Sequence, residues 1–207
     1  MISVVVPAFF LVIFLSVDIS QVRANANIMK VHHLSDELAT LLQQQVGEEL
    51  KAANNYLALA AYFGEEKVNR PGFAKFFKEN AEEEFEHAQK IIDYLNKRGK
   101  ALEPSNLHLE PPLQTKWKDG LHAMHYALEM EGRVTEKLNT IHNNGSKDGH
   151  LTNFLESEFL EEQVNSMRRL SGYVRNLHDM IQGGNPSRNS LAEYLFDLQL
   201  QKQKDEL

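Results

Sequence analysis

The chain of 207 residues carries 22 Lys and Arg against 29 Asp and Glu, a formal net charge of −7, with no cysteine. The acidic balance argues against nucleic acid as a partner and is compatible with attracting cations. The length fits one globular domain with enough core to stand without disulfide staples.

In chain order, the first feature is an apolar run from Ile2 to Val17, too short for the roughly 20 residues of a transmembrane helix. Small residues follow at Ala24-Asn25-Ala26, so residues 1–26 read as a secretory signal, and the polar sequence beyond offers no membrane span after its cleavage. The first predicted helix covers 36–64, with Ser35 as N-cap and Asp36 and Glu37 in the first turn. Its apolar stripe is Leu38, Leu42, Val46, Ala53, Tyr56, Ala60 and Phe63, and Glu49 interrupts it.

The second helix is predicted over 72–98, with Pro71 at its start. Phe73, Phe76, Phe77, Asn80, Ile91, Tyr94 and Leu95 mark its buried face, and Glu84 and His87 sit on that face one turn apart. Glu79, Glu82, Glu83 and Glu86 centre roughly 120° around the same helix and read by themselves as a solvated charged face. The third helix, 118–143, places Glu131 within the stripe Leu121, Met124, Leu128, Val134, Leu138 and Ile141. Asn144-Gly145-Ser146 is a glycosylation sequon in the next turn. A fourth helix over 149–181 carries Gln163 among Leu160, Met167, Leu170, Val174 and Leu177. A short last helix over 189–201, with Ser190 and Glu193 as a capping box, shows Leu191, Tyr194, Leu195 and Leu198 on a face without a partner inside one bundle. The chain ends on Lys204-Asp205-Glu206-Leu207, an endoplasmic-reticulum retrieval signal.

Loop lengths set the topology. Two connections of about seven residues join antiparallel neighbours. The connection from Gly99 to Trp117 can extend to roughly 60 Å, longer than the roughly 40 Å of a helix of that size. The expected fold is all-α: a four-helix bundle with one long crossover and a short fifth C-terminal helix, with the domain over 27–203.

Three acids, one imidazole and one amide thus point into a shared interior. A lone inward Glu usually pairs with Arg or Lys, and a lone His is usually a hydrogen-bonded core residue. Here no Arg or Lys falls on the stripes. Bare carboxylates are costly to bury; the Glu-x-x-His spacing is that of dinuclear helix bundles, and hard oxygen ligands with one imidazole suit iron, manganese or zinc.

From about Leu38 to Asp197 the chain resembles the ferritins, most locally at Glu84-Phe85-Glu86-His87-Ala88, Phe159-Leu160-Glu161-Glu162-Gln163-Val164 and Leu191-Ala192-Glu193-Tyr194-Leu195-Phe196-Asp197. The heavy-type ferroxidase pattern maps onto Glu49, Tyr56, Glu84, His87, Glu131 and Gln163. The resemblance implies that Glu49 and His87 hold a first iron, Glu131 a second, and Glu84 bridges both, with Gln163 and Tyr56 auxiliary. It further implies oxidation of Fe(II) by O2, and ferric oxyhydroxide nucleated on Glu79, Glu82, Glu83 and Glu86 inside a shell of 24 subunits, alone or with a second subunit type. His150, Asn153 and Glu156 fall at the three-fold channel positions, with Asn153 where vertebrate-type channels carry an acid; Leu191, Leu195 and Gln199 fall nearest the four-fold axis. The leader and tail place such a protein in the secretory pathway, in the endoplasmic reticulum, secreted, or both. The rival readings are a light-type storage or iron-transport subunit without fast oxidation, against which the intact ligands speak, and a secreted helical signalling bundle, which leaves the inward acids unexplained.

Overall fold

The computed structural model describes residues 32–103, 111–112, 114–181 and 185–202, with only the backbone at 186–188. The expected leader, 1–26, and the retrieval tetrapeptide, 204–207, lie outside the described residues. His32 and His33 belong to a separate unit, Met1–His33, and their rings meet edge to face at 4.7 Å. From Leu34 onward the chain forms one compact unit.

Helix α1 spans Asp36–Gly64, where the Ser35 side chain accepts from the Leu38 N–H as expected of an N-cap. Helix α2 spans Pro71–Lys97 with proline in its first turn, and α3 spans Gly120–Asn144, capped by Asp119. The fourth rod has three pieces: α4 (Gly149–Leu155), a π-helical turn (Glu156–Leu160) and α5 (Glu161–Ile181). Helix α6 spans Pro186–Lys202. Among the described residues there is no strand.

Side-chain pairings fix the directions. Phe63 stacks on Phe73 at 4.9 Å while the Leu34 N–H reaches the Arg98 carbonyl at 3.1 Å, so α1 and α2 are antiparallel. Tyr126 donates to Asn55, and Lys137 pairs with Glu48, so α3 runs antiparallel to α1 and parallel to α2. Tyr94 stacks on Phe154 at 4.0 Å, and Phe76 meets Tyr173 at 5.6 Å, so the fourth rod returns antiparallel to α2. The crossover is pinned to α1 at both ends: Gln43 donates to the Ala101 carbonyl at 3.3 Å, and Tyr62 donates to the Trp117 carbonyl at 2.6 Å. Those anchors stand about 28 Å apart along α1 at 1.5 Å per residue. This is the up-down-down-up bundle expected from the loop lengths.

The fourth rod differs from the expected uninterrupted helix. The Glu161 N–H bonds back five residues to the Glu156 carbonyl. Leu151, Leu155, Phe159 and Gln163 are all buried, and four-residue steps drift off an ideal 3.6-residue stripe by about 40° each. The wider π turn absorbs the drift. Phe159, rather than the expected Leu160, therefore faces the core, and Leu160 is half-buried.

The last helix begins three residues earlier than expected, with Pro186 in the first helical position. Ser190 is therefore inside the helix, and Glu193 forms no capping box. Its carboxylate accepts from Arg70 Nε at 2.9 Å and from the Gly120 N–H at 2.8 Å, tying α6 to the starts of α2 and α3. Arg70 gives α2 no side-chain cap. Buried Asp197 of α6 does so instead, accepting from the N–H groups of Gly72 and Phe73 at 2.7 and 3.0 Å. Ala192, Phe196 and Leu200 bury the rest of that face, leaving Leu191, Tyr194 and Leu195 about half exposed.

Candidate metal centre

Glu49 and Tyr56 on α1, Glu84 and His87 on α2, Glu131 on α3 and Gln163 on α5 are all buried in the middle of the bundle. Glu49, Glu84 and His87 each offer one ligand atom, and these atoms lie within 4.8 Å of one another. Glu49 Oε1 accepts from Gln45 Nε2 at 2.8 Å, while its Oε2 is buried with no amide or hydroxyl donor, the Glu84 carboxyl being its neighbour. An orphaned carboxylate oxygen is costly in a low-dielectric interior and is the atom a cation would satisfy.

Glu131 stands outside that three-residue cluster, with both oxygens engaged. Tyr56 donates its hydroxyl to Oε1, and Gln163 donates its amide to Oε2 at 3.1 Å. Among the described residues none of Glu49, Glu84 and Glu131 forms an ion pair with Lys or Arg; the cation within reach is His87.

The electrostatics follow from burial. Desolvation raises the Glu49 carboxyl above its ordinary range, against the opposing Gln45 hydrogen bond and the charge of His87. Desolvation and then the nearby Glu131 charge push Glu84 well up. Tyr56 is likewise pushed well above the ordinary phenol range, first by burial and then by Glu131. Burial works against a charged His87, yet its bonds to Glu162 and Glu84 outweigh that and raise it to about 11. The imidazolium thus partly neutralises the acids, and a metal ion that takes His87 as ligand must displace its proton.

Two residues of this network were assigned otherwise, or not at all, by sequence. Glu162 stands out in the sequence only as part of the ferritin-resembling stretch Phe159-Leu160-Glu161-Glu162-Gln163-Val164, but its Oε2 lies 3.1 Å from His87 Nε2. Glu83 does not belong to a solvated face: it is half-buried, and burial followed by its contact with Glu162 lifts it to about 7. Glu162 falls to about 2, where bonds from His87 and Glu83 overcome its own burial. The available signal was spacing: Glu162 adjoins Gln163, and Glu83 lies four residues before His87. Glu79, Glu82 and Glu86 are exposed as expected, with Lys75 at 3.4 Å from Glu79 and Lys78 at 3.6 Å from Glu82.

Of the expected channel residues, Asn153 is exposed, and Glu156 Oε1 lies 2.7 Å from His142 Nε2. His150 is exposed and reaches back to the Tyr94 hydroxyl at 3.2 Å. Leu191, Leu195 and Gln199 are exposed together on α6.

A four-helix bundle with one crossover, an added C-terminal helix and buried acids around an imidazole defines a metal-handling, ferritin-like protein. A family profile for the ferritin-like domain matches residues 39–180. The chain is 38% identical over 182 residues to the soma ferritin of Lymnaea stagnalis, covering 87% of this chain and 95% of that one. It is 37% identical over 180 residues to the ferritin middle subunit of Salmo salar, covering 86% and 94%, and 37% identical over 166 residues to the ferritin heavy chain of Trichoplusia ni, covering 77% of each. The chain belongs to the ferritin family, whose members bind and store iron in multi-subunit shells. Among the described residues, no helix is long and apolar enough to cross a membrane.

Proposed function

We propose that this chain is a ferroxidase and iron-storage subunit that oxidises Fe(II) at a dinuclear site within its own bundle. The observation that carries the reading is the buried cluster of Glu49, Glu84 and His87, with no donor offered to Glu49 Oε2 other than the neighbouring Glu84 carboxyl. In this reading Glu49 and His87 take the first iron, Glu131 the second, and Glu84 reaches both. Tyr56 and Gln163 hold the Glu131 carboxylate in register between α1 and α5.

Iron is the substrate. Each Fe(II) gives up one electron, and two electrons with two protons reduce O2 to the level of hydrogen peroxide. Displacing protons from Glu49, Glu84 and His87 as iron binds supplies protons at the place where O2 needs them. The Fe(III) product leaves for mineral, nucleated on exposed Glu79, Glu82 and Glu86, with half-buried Glu83 between that face and the oxidation site. Assembly as a 24-subunit shell, iron entry past Asn153 and Glu156, and residence in the secretory pathway complete the proposal. The leader and terminal Lys204-Asp205-Glu206-Leu207 support that location.

The test is aerobic addition of Fe(II) to the purified protein, following ferric absorbance in wild type, Glu84→Ala and His87→Ala. Fast formation in wild type, reduced by 10-fold or more in both variants, is expected. Equal rates in all three would leave a storage subunit without a ferroxidase centre.

A further inference from the structure

We propose that Gln45 is a positioning residue for the metal centre: its side-chain amide fixes Glu49 Oε1 and thereby commits Oε2 to the metal. This rests on the dinuclear reading above. Gln45 and Glu49 are one turn apart on α1, 1% and 0% exposed, and joined at 2.8 Å. The two oxygens of Glu49 are therefore inequivalent: one is held by an amide of its own helix, and the other has no amide or hydroxyl donor.

Gln45 also borders a surface cleft of about 170 Å³ between α1 and α3, together with Leu41, Gln44, Lys137, Thr140 and Ile141. Without its donor, Oε1 would be a second unsatisfied oxygen. Glu49 would then turn toward water to satisfy that oxygen, and the motion loosens the first site. Metal ligands depend on partners of this kind, and their loss costs about 10–100-fold in metal affinity.

The test uses Co(II), whose visible absorption reports coordination without turnover. Anaerobic titration of the whole protein is compared for wild type, Gln45→Met, which keeps the length and loses the donor, and Gln45→Asn, whose amide is one methylene short. Gln44→Ala, which alters only the cleft lining, is the control, and circular dichroism confirms folding. The expected result is a dissociation constant for the first Co(II) raised about 10–100-fold in both Gln45 variants and unchanged in Gln44→Ala. Should only one Gln45 variant fold, its titration decides. Wild-type affinity in a folded Gln45 variant overturns the inference alone. Absence of Co(II) binding in wild type overturns the dinuclear reading and the inference with it.

Discussion

His87 Nε2 lies 3.1 Å from Glu162 Oε2, a contact that spans 75 residues of sequence and staples α2 to α5 through the candidate metal centre. The other ring nitrogen faces Glu84 at 3.2 Å. Glu162→Gln removes the leading charge partner of the ring. The His87 pKa should then fall from about 11 toward the ordinary imidazole range, read as a shifted His87 resonance in an NMR pH titration of the metal-free protein. An unmoved titration would show that Glu84 alone holds the proton.

Protonation of the empty site makes the metal-free protein lose stability as pH rises. Glu49 and Glu84 are raised, so the folded state binds more protons than the unfolded one above about pH 4.5. His87, raised to about 11, adds the same sign between about 6.5 and 11. Glu162, lowered to about 2, contributes stability that is present above about 4.5 and lost as pH falls toward 2. The thermal midpoint of metal-free protein should therefore decline from pH 6 to pH 9, and saturating Zn(II) should offset the decline. A midpoint rising over that window would contradict the account.

Gly72 packs tightly against α6: a Cβ there would stand 2.0 Å from the Asp197 carbonyl oxygen. Gly72→Ala must push the two helices apart and stretch the Asp197 bonds to the start of α2. We expect destabilisation by about 1–3 kcal/mol, measured by denaturant unfolding, and faster proteolysis at the α5–α6 connection.

Glu156 Oε1 lies 2.7 Å from His142 Nε2, and exposed Asn153, three residues before Glu156, carries no charge. If this surface lines the entry path for Fe(II), Asn153→Asp should speed iron uptake at low ionic strength and lose that advantage in high salt. Uptake unaffected by the substitution would remove the channel from the account.

Helix number and inward faces were legible in the sequence because burial imposes a 3.6-residue period that polar intruders do not disturb, and helix direction because connection length limits which ends can meet. Glu49, Glu84, His87, Glu131 and Gln163 stood out against apolar stripes, and all five are buried. Three features were hidden. The π turn depends on a hydrogen-bond register that periodicity does not encode, which is why Phe159 and Leu160 exchange their expected places. The role of Glu193 depends on long-range partners, Arg70 and Gly120, rather than on its spacing from Ser190. Glu83 and Glu162 meet only because antiparallel α2 and α5 bring together acids that each helix alone assigns to its polar edge.

The central claim is that these buried acids are spaced for a pair of metal ions. Anomalous diffraction from crystals soaked anaerobically in Fe(II) tests it most directly. The account predicts two iron peaks inside each subunit, one bound by Glu49, Glu84 and His87 and a second shared by Glu84 and Glu131. A protein that oxidises no iron and shows no peak between α1, α2 and α3, or peaks only on the exposed face of Glu79, Glu82 and Glu86, would contradict it.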